Sequence, residues 1–179
     1  MAILKGWHHF LRTEVTNGGR VVVLDQGPVF LLAQLYMFGP KSLRGKSAEK
    51  WWEMVVARWA ATLDMLVYLD ASDAHLLNRV RTRSKWHLVK DKTAPEVFEF
   101  LAQYREAYEQ VSSMLTAYHR SPKLLRFDTV QQSSDEIVNR LLAEFGLKAD
   151  GDRGRDCWPP NRLIVNPEHD QDRMLTKCL

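Results

Sequence analysis

Apolar residues recur along the chain in two rhythms. Ile3, Leu4, Trp7, Phe10 and Leu11 fall at helical spacing and predict a helix over residues 3–16, which Asn17, Gly18 and Gly19 end by tolerating positive φ. Val21, Val22, Val23 and Leu24 then run without polar interruption, the pattern of a strand buried on both faces of a parallel sheet, and Asp25 closes it. Gly27 and Pro28 offer a turn and a proline preset for a first helical turn, so residues 29–38 are expected to be helical. Residues 38–47 read as a loop. Residues 48–62 carry the next helical pattern, with Trp51, Met54, Val55 and Trp59, joined by Trp52, on the apolar side.

A second strand is expected over residues 63–70, ending in Asp70. Ser72 or Asp73 can cap the helix that follows, which holds Leu76, Leu77 and Val80. Residues 94–118 predict a long helix with apolar positions at Val97, Phe98, Leu101, Tyr104, Tyr108, Val111 and Leu115. Residues 123–128 form the third strand pattern, and the Ser133-to-Glu136 signature leads into a helix over 137–145 closed by Gly146. Strands separated by helices imply right-handed crossovers. The expected fold is therefore α/β, a three-layer sandwich with helices on both faces of a small parallel sheet. Residues 1–149 are expected to make this domain, and residues 150–179, where charges and prolines crowd out apolar residues, an irregular tail.

Composition narrows the classes. A chain of 179 residues, 45% hydrophobic and 26% charged, has the profile of one globular domain and excludes collagen-like and wholly disordered chains. Twenty-five Lys and Arg against 22 Asp and Glu leave a net charge of +3, so an electrostatic partner must be met by a local cluster, and no nucleic-acid binder is expected. The apolar runs fall far short of the ~20 residues of a membrane span, and residues 1–9 lack the basic-then-apolar build of a secretory signal. Cys157 and Cys178 are too few for a disulfide framework or a metal cluster. The expected setting is cytoplasmic, with no membrane partner.

Two constellations carry candidate chemistry. Asp25 stands at the carboxyl end of a strand, where open α/β sheets collect ligands; it can hold a Mg²⁺-bound water or accept a proton, or it can simply cap the next helix. The segment 79–92 holds Arg79, Arg81, Arg83, Lys85, Lys90 and Lys92 against Asp91 alone. Arg79 and Arg83 are one helical turn apart and their guanidinium forks suit phosphate oxygens, although a basic helix end facing its own dipole is the plainer account. Asp25 and the two arginines are expected to converge on one triphosphate-sized hollow. Gly39 to Ser47 nearly spells a phosphate loop but has five residues between its glycines and no strand before it. His8, His9, His75, His87, His119 and His169 lack ligand spacing, and Trp51 and Trp59 read as packing.

The order of these elements resembles the P-loop nucleoside and nucleotide kinases of the thymidylate-kinase-like group. The residues that carry the likeness are the strand ending in Asp25 with Gln26, Gly27 and Pro28, the strand ending in Asp70, the run from Leu76 through Arg79 to Arg83, the long helix, and the strand ending in Asp128 and Thr129. It covers roughly residues 20–147. The resemblance implies ATP- and Mg²⁺-dependent transfer of a phosphoryl group to a small acceptor, a nucleoside or nucleotide. By the same likeness Asp25 is the Mg²⁺ or acceptor-site acid, and Arg79 and Arg83 lead into a lid, with Lys85, that closes over the phosphates. Asp128 and Thr129 lie beside the adenine. The chain departs from the group in having no strand running into Gly-x-x-x-x-Gly-Lys-Ser/Thr. In the group that strand lies between those matching residues 20–24 and 63–69. The core is thus P-loop-like but missing its first strand, as in a truncated kinase or in a homologue that keeps the sheet as a scaffold. Phosphotransfer is expected to be impaired; the alternative is a non-catalytic module that holds an anionic ligand through segment 79–92.

Overall fold

The computed structural model describes residues 11, 21–25, 27–43, 45–84, 87–146 and 164–165. In chain order its elements are β1 (Val23–Leu24), α1 (Pro28–Phe38), a short 3₁₀ turn (Lys41–Leu43), α2 (Lys46–Ala60), β2 (Met65–Asp70), α3 (Asp73–Thr82), α4 (Ala94–Thr116), β3 (Lys123–Asp128), α5 (Ser134–Glu144) and β4 (Ile164–Val165). The chain is α/β, with five helices among the described residues around small parallel ladders. β2 and β3 pair in parallel with Met65 opposite Lys123 and Asp70 opposite Asp128. β1 pairs in parallel with β4, two residues each.

This division corrects the expectation of three strands side by side in one sheet. Among the described residues β1 makes no ladder with β2 or β3, and the run 20–25 yields a strand of only two residues. A strand exists only where a partner supplies hydrogen bonds, and β1's partner, Ile164–Val165, comes from the segment expected to be an irregular tail. The helix expected over residues 3–16 lies outside the described residues except for Leu11, which is buried in the main core.

α4 is the spine. Leu32 and Ala33 of α1, Val56, Trp59 and Ala60 of α2, and Leu66 of β2 close on Ala107, Val111 and Leu115 of α4. The apolar side of α2 is largely as expected, with Trp59 buried and Trp52 and Val55 packed on the core, but Met54 faces solvent and Val56 is buried. Phe98 of α4 is likewise exposed, while Val97 is sealed against Val80 and Val89. On the opposite face of the β2–β3 ladder, Leu125 and Phe127 pack on Ile137 of α5. α5 covers only part of that face, so Val67 and Leu69 on β2 remain 43% and 59% exposed.

Helix ends follow local chemistry. Pro28 occupies the first turn of α1, and Gly39 ends it because a Cβ there would stand 2.1 Å from the Leu35 carbonyl oxygen. Thr93 and Glu96 open α4; Ser133 and Glu136 open α5, where the Glu136 N–H donates to Ser133 Oγ at 3.3 Å and the Ser133 N–H to Glu136 Oε2 at 2.7 Å. Gly146 closes α5 at φ 65. Among the described residues no helix is long and apolar enough to cross a membrane.

Candidate functional site at the carboxyl ends of β2 and β3

β2 and β3 end side by side in Asp70 and Asp128. The Thr129 N–H and Oγ1–H both donate to the Asp70 carbonyl oxygen, at 2.8 and 2.9 Å, which pins the turn after β3 against the end of β2. Arg79, on α3, reaches the same turn: Nη1 donates to Thr129 Oγ1 at 2.9 Å and Nη2 to the Thr129 carbonyl at 3.2 Å. Asp128 shapes the turn itself, its carboxylate accepting from the Val130 N–H at 2.8 Å. Arg79, Asp128 and Thr129, chosen from the sequence, are thus neighbours around one turn.

Neither Asp25 nor Arg83 bonds to that turn among the described residues. Asp25 lies exposed in the turn after β1; it does not cap α1, whose N-cap is Gly27. Its carboxylate is one of the charges that raise the Tyr108 hydroxyl. Arg83 is the exposed C-cap of α3, its N–H donating to the Arg79 carbonyl at 3.2 Å and its own carbonyl accepting from Lys90 Nζ. Lys85 lies outside the described residues.

The hollow at these strand ends, about 520 Å³, is lined by Tyr68, Asp70, Asp73, Arg105, Arg126 and Asp128 among others. The expected arginines are therefore not the ones that enter it. Arg79 is turned into the β3–α5 turn, and α4 delivers Arg105 instead, with Nη2 at 2.8 Å from Asp73 Oδ1 and 3.4 Å from Asp70 Oδ1. Arg126 is held in a fork by Glu109, with Nη2 to Oε2 at 2.6 Å, and lies 5.0 Å over the Tyr68 ring. Both guanidiniums are neutralised by carboxylates, so the hollow carries no uncompensated positive charge.

Beside it runs a row of rings on one face of α4. Phe100, Tyr104 and Tyr108 stack in sequence at 5.4 and 5.2 Å, His87 meets Phe100 edge-on at one end, and Tyr68 meets Tyr108 edge-on at the other. Burial pushes the Tyr104 hydroxyl up, and burial with the neighbouring Tyr104 pushes Tyr108 up much further. Both stay protonated as hydrogen-bonding groups, and Gln34 Nε2 of α1 donates to Tyr104 Oη at 2.5 Å. The sequence placed Tyr104 and Tyr108 on an apolar face without marking them as a ligand platform. Arg105 gave no signal, because its partners lie 32 and 35 residues away.

Among the described residues no group of three or more His, Cys, Asp or Glu is arranged to hold a metal ion. A Mg²⁺ ion that keeps water and phosphate oxygens as ligands asks less of a protein, one or two carboxylates. The exposed Asp25 carboxylate, with no hydrogen bond or ion pair among the described residues, fits that demand. For a triphosphate the fit fails: the sequence has no phosphate loop, and no described backbone segment replaces it.

Fold and site together define an α/β protein with a polar hollow and an aromatic row at the carboxyl ends of parallel strands. Comparison of the chain with protein-family models, curated proteins and solved structures returns no match.

Proposed function

We propose that the chain is the acceptor-and-lid portion of a nucleoside/nucleotide-kinase-like phosphotransferase, in which a strand–phosphate-loop–helix unit belongs between β1 and β2. One observation carries it: among the described residues β1 and β2 run in separate parallel pairs, and β2 pairs on one edge only, next to the half-exposed Val67 and Leu69. Parallel sheets are covered on both faces. A missing central strand with its following helix is what would leave both an edge and a face bare.

In this account the three-layer, P-loop-like core is complete only with that unit, and ATP and Mg²⁺ are its cofactors. Asp25 accepts the acceptor hydroxyl's proton or holds a Mg²⁺-bound water. Tyr104 and Tyr108 give a planar base an apolar face with hydroxyls at its margin. Arg83, whose guanidinium makes no hydrogen bond or ion pair among the described residues, is the arginine free to meet phosphate charge, whereas Arg79 positions the turn at Asp128 and Thr129.

Thermal unfolding with ligands tests the proposal. A nucleoside monophosphate should raise the melting temperature of the chain alone, since a ligand at 100 times its Kd adds about 2.7 kcal/mol. Mg-ATP should do so only after a strand, phosphate loop and helix are fused ahead of residue 20. If no nucleoside or nucleotide stabilises either form, the proposal fails. A second reading, a non-catalytic module, rests on the exposed Arg81, Arg83 and Lys92 along segment 79–92. It requires stabilisation by inorganic polyphosphate with no dependence on a base.

A further inference from the structure

A second cavity lies elsewhere, between the ends of α1, α2 and α4. It is a groove of about 900 Å³ whose lining includes Leu35, Met37, Leu43, Trp52, Val56 and Met114. Its walls carry Glu49 and Glu53 on α2 and Glu106 on α4 and, among the described residues, no lysine or arginine. Glu49 and Glu53 are one helical turn apart, so their carboxylates flank the same side of the groove. None of the three carboxylates has an ion-pair partner among the described residues. On a chain of net charge +3, three carboxylates without ion pairs among the described residues, set around an apolar floor, are a local concentration of negative charge.

The rim of the groove is built and its floor adaptable. The Trp52 indole N–H donates to the Leu43 carbonyl at 2.9 Å, Tyr36 meets the Trp52 ring edge-on at 6.4 Å, and the Tyr118 hydroxyl donates to the Glu53 carbonyl at 3.2 Å. These bonds fix the wall positions. The floor has two methionines, whose unbranched side chains repack around varied apolar shapes. Phe38, 56% exposed at the end of α1, extends the apolar surface outward.

We propose that this groove receives a basic amphipathic helix of a partner protein. An apolar groove of this kind accepts a helix by its i, i+3, i+4, i+7 stripe. Lysines or arginines bordering that stripe would meet Glu49 and Glu53 on one side and Glu106 on the other. Charge selects the partner: an acidic or neutral helix of equal apolarity would leave three carboxylates facing like charge or desolvated without a counter-ion. The site is separate from the strand-end hollow, so this proposal stands whether or not the phosphotransferase account does.

The experiment uses the full chain and a synthetic 18-residue helical peptide with leucines along one stripe and lysines bordering it. Its counterpart has every lysine replaced by glutamate. Binding is followed by Trp fluorescence and calorimetry. The lysine peptide should bind one-to-one, weakening as salt rises, and the glutamate peptide should not bind. Glu49→Lys with Glu53→Lys should weaken binding roughly tenfold, with Glu106→Lys weakening it further, while circular dichroism stays unchanged. The peptide charge swap is read on the unaltered protein, so it decides even if a variant fails to fold. Equal binding of both peptides, no binding of either, or equal binding by the charge-reversed variants would overturn the proposal. So would a concentration-dependent dimer abolished by those reversals, which would give the groove to a second copy of the chain.

Discussion

What a charged residue does here depends on where its helix aims it. Arg79 and Arg105 have the same chemistry, yet one ties down a turn through Thr129 and the other is clamped between Asp70 and Asp73. Spacing on a helix showed that Arg79 and Arg83 share a side, but not which neighbour that side meets. The partner lies 50 residues away in one case and 32 in the other. His87 gives the site a readable titration. Burial first, and then the Arg83 guanidinium, lower its pKa below the ordinary 6.5. The folded state therefore favours the neutral ring, so its contribution is complete above pH 6.5 and is lost as pH falls from 6.5 towards the lowered folded value. By NMR the His87 ring should titrate below 6.5, and Arg83→Ala should move the midpoint upward; a midpoint that does not move would remove Arg83 from the vicinity of the ring.

Among elements, those with local signals were legible and those defined by distant partners were not. β3 occupies the expected residues 123–128, and α5 starts where the capping signature puts it. Ser133→Ala removes that cap and should cost about 1 kcal/mol, seen as a lower melting temperature with unchanged secondary structure. Glu136 shares the cap and its carboxyl is held below the usual 4.5 by hydrogen bonds from Ser133; Glu109, through its bond to Arg126, is lowered likewise. Groups lowered in the folded state contribute stability above pH 4.5 that disappears as pH drops through the lowered values. Acid unfolding should therefore begin below pH 4.5, and Glu109→Gln should blunt its steepness. On α2 the apolar pattern locates Trp59, Trp52 and Val55 in or against the core but not Val56 and Ala60, small side chains that an apolar count passes over and that fit against α4, while Met54 faces solvent.

For the whole molecule, composition set the class but hid the distribution of charge. A total of +3 conceals a basic segment at 79–92 and an acidic groove on α2 and α4. It also gave no warning that the β2–β3 ladder would stand with one face half covered, because the β2 sequence reads as buried on both sides. Among the described residues β2 pairs on one edge only, beside Val67 and Leu69, and an unpaired parallel edge is a template for association. Sedimentation should show self-association growing with concentration, and Val67→Lys with Leu69→Lys should suppress it without lowering the melting temperature, since both side chains already contact water.

One guanidinium joins a helix to a turn that the chain makes half a hundred residues later. Arg79 grips Thr129, and Thr129 in turn grips the end of β2, so fraying of the last turns of α3 removes a restraint on the loop that launches α5. Deuterium uptake at the Thr129 amide, which is bonded to the Asp70 carbonyl, should therefore quicken in Arg79→Ala; an unchanged rate would show that the helix and the loop open separately.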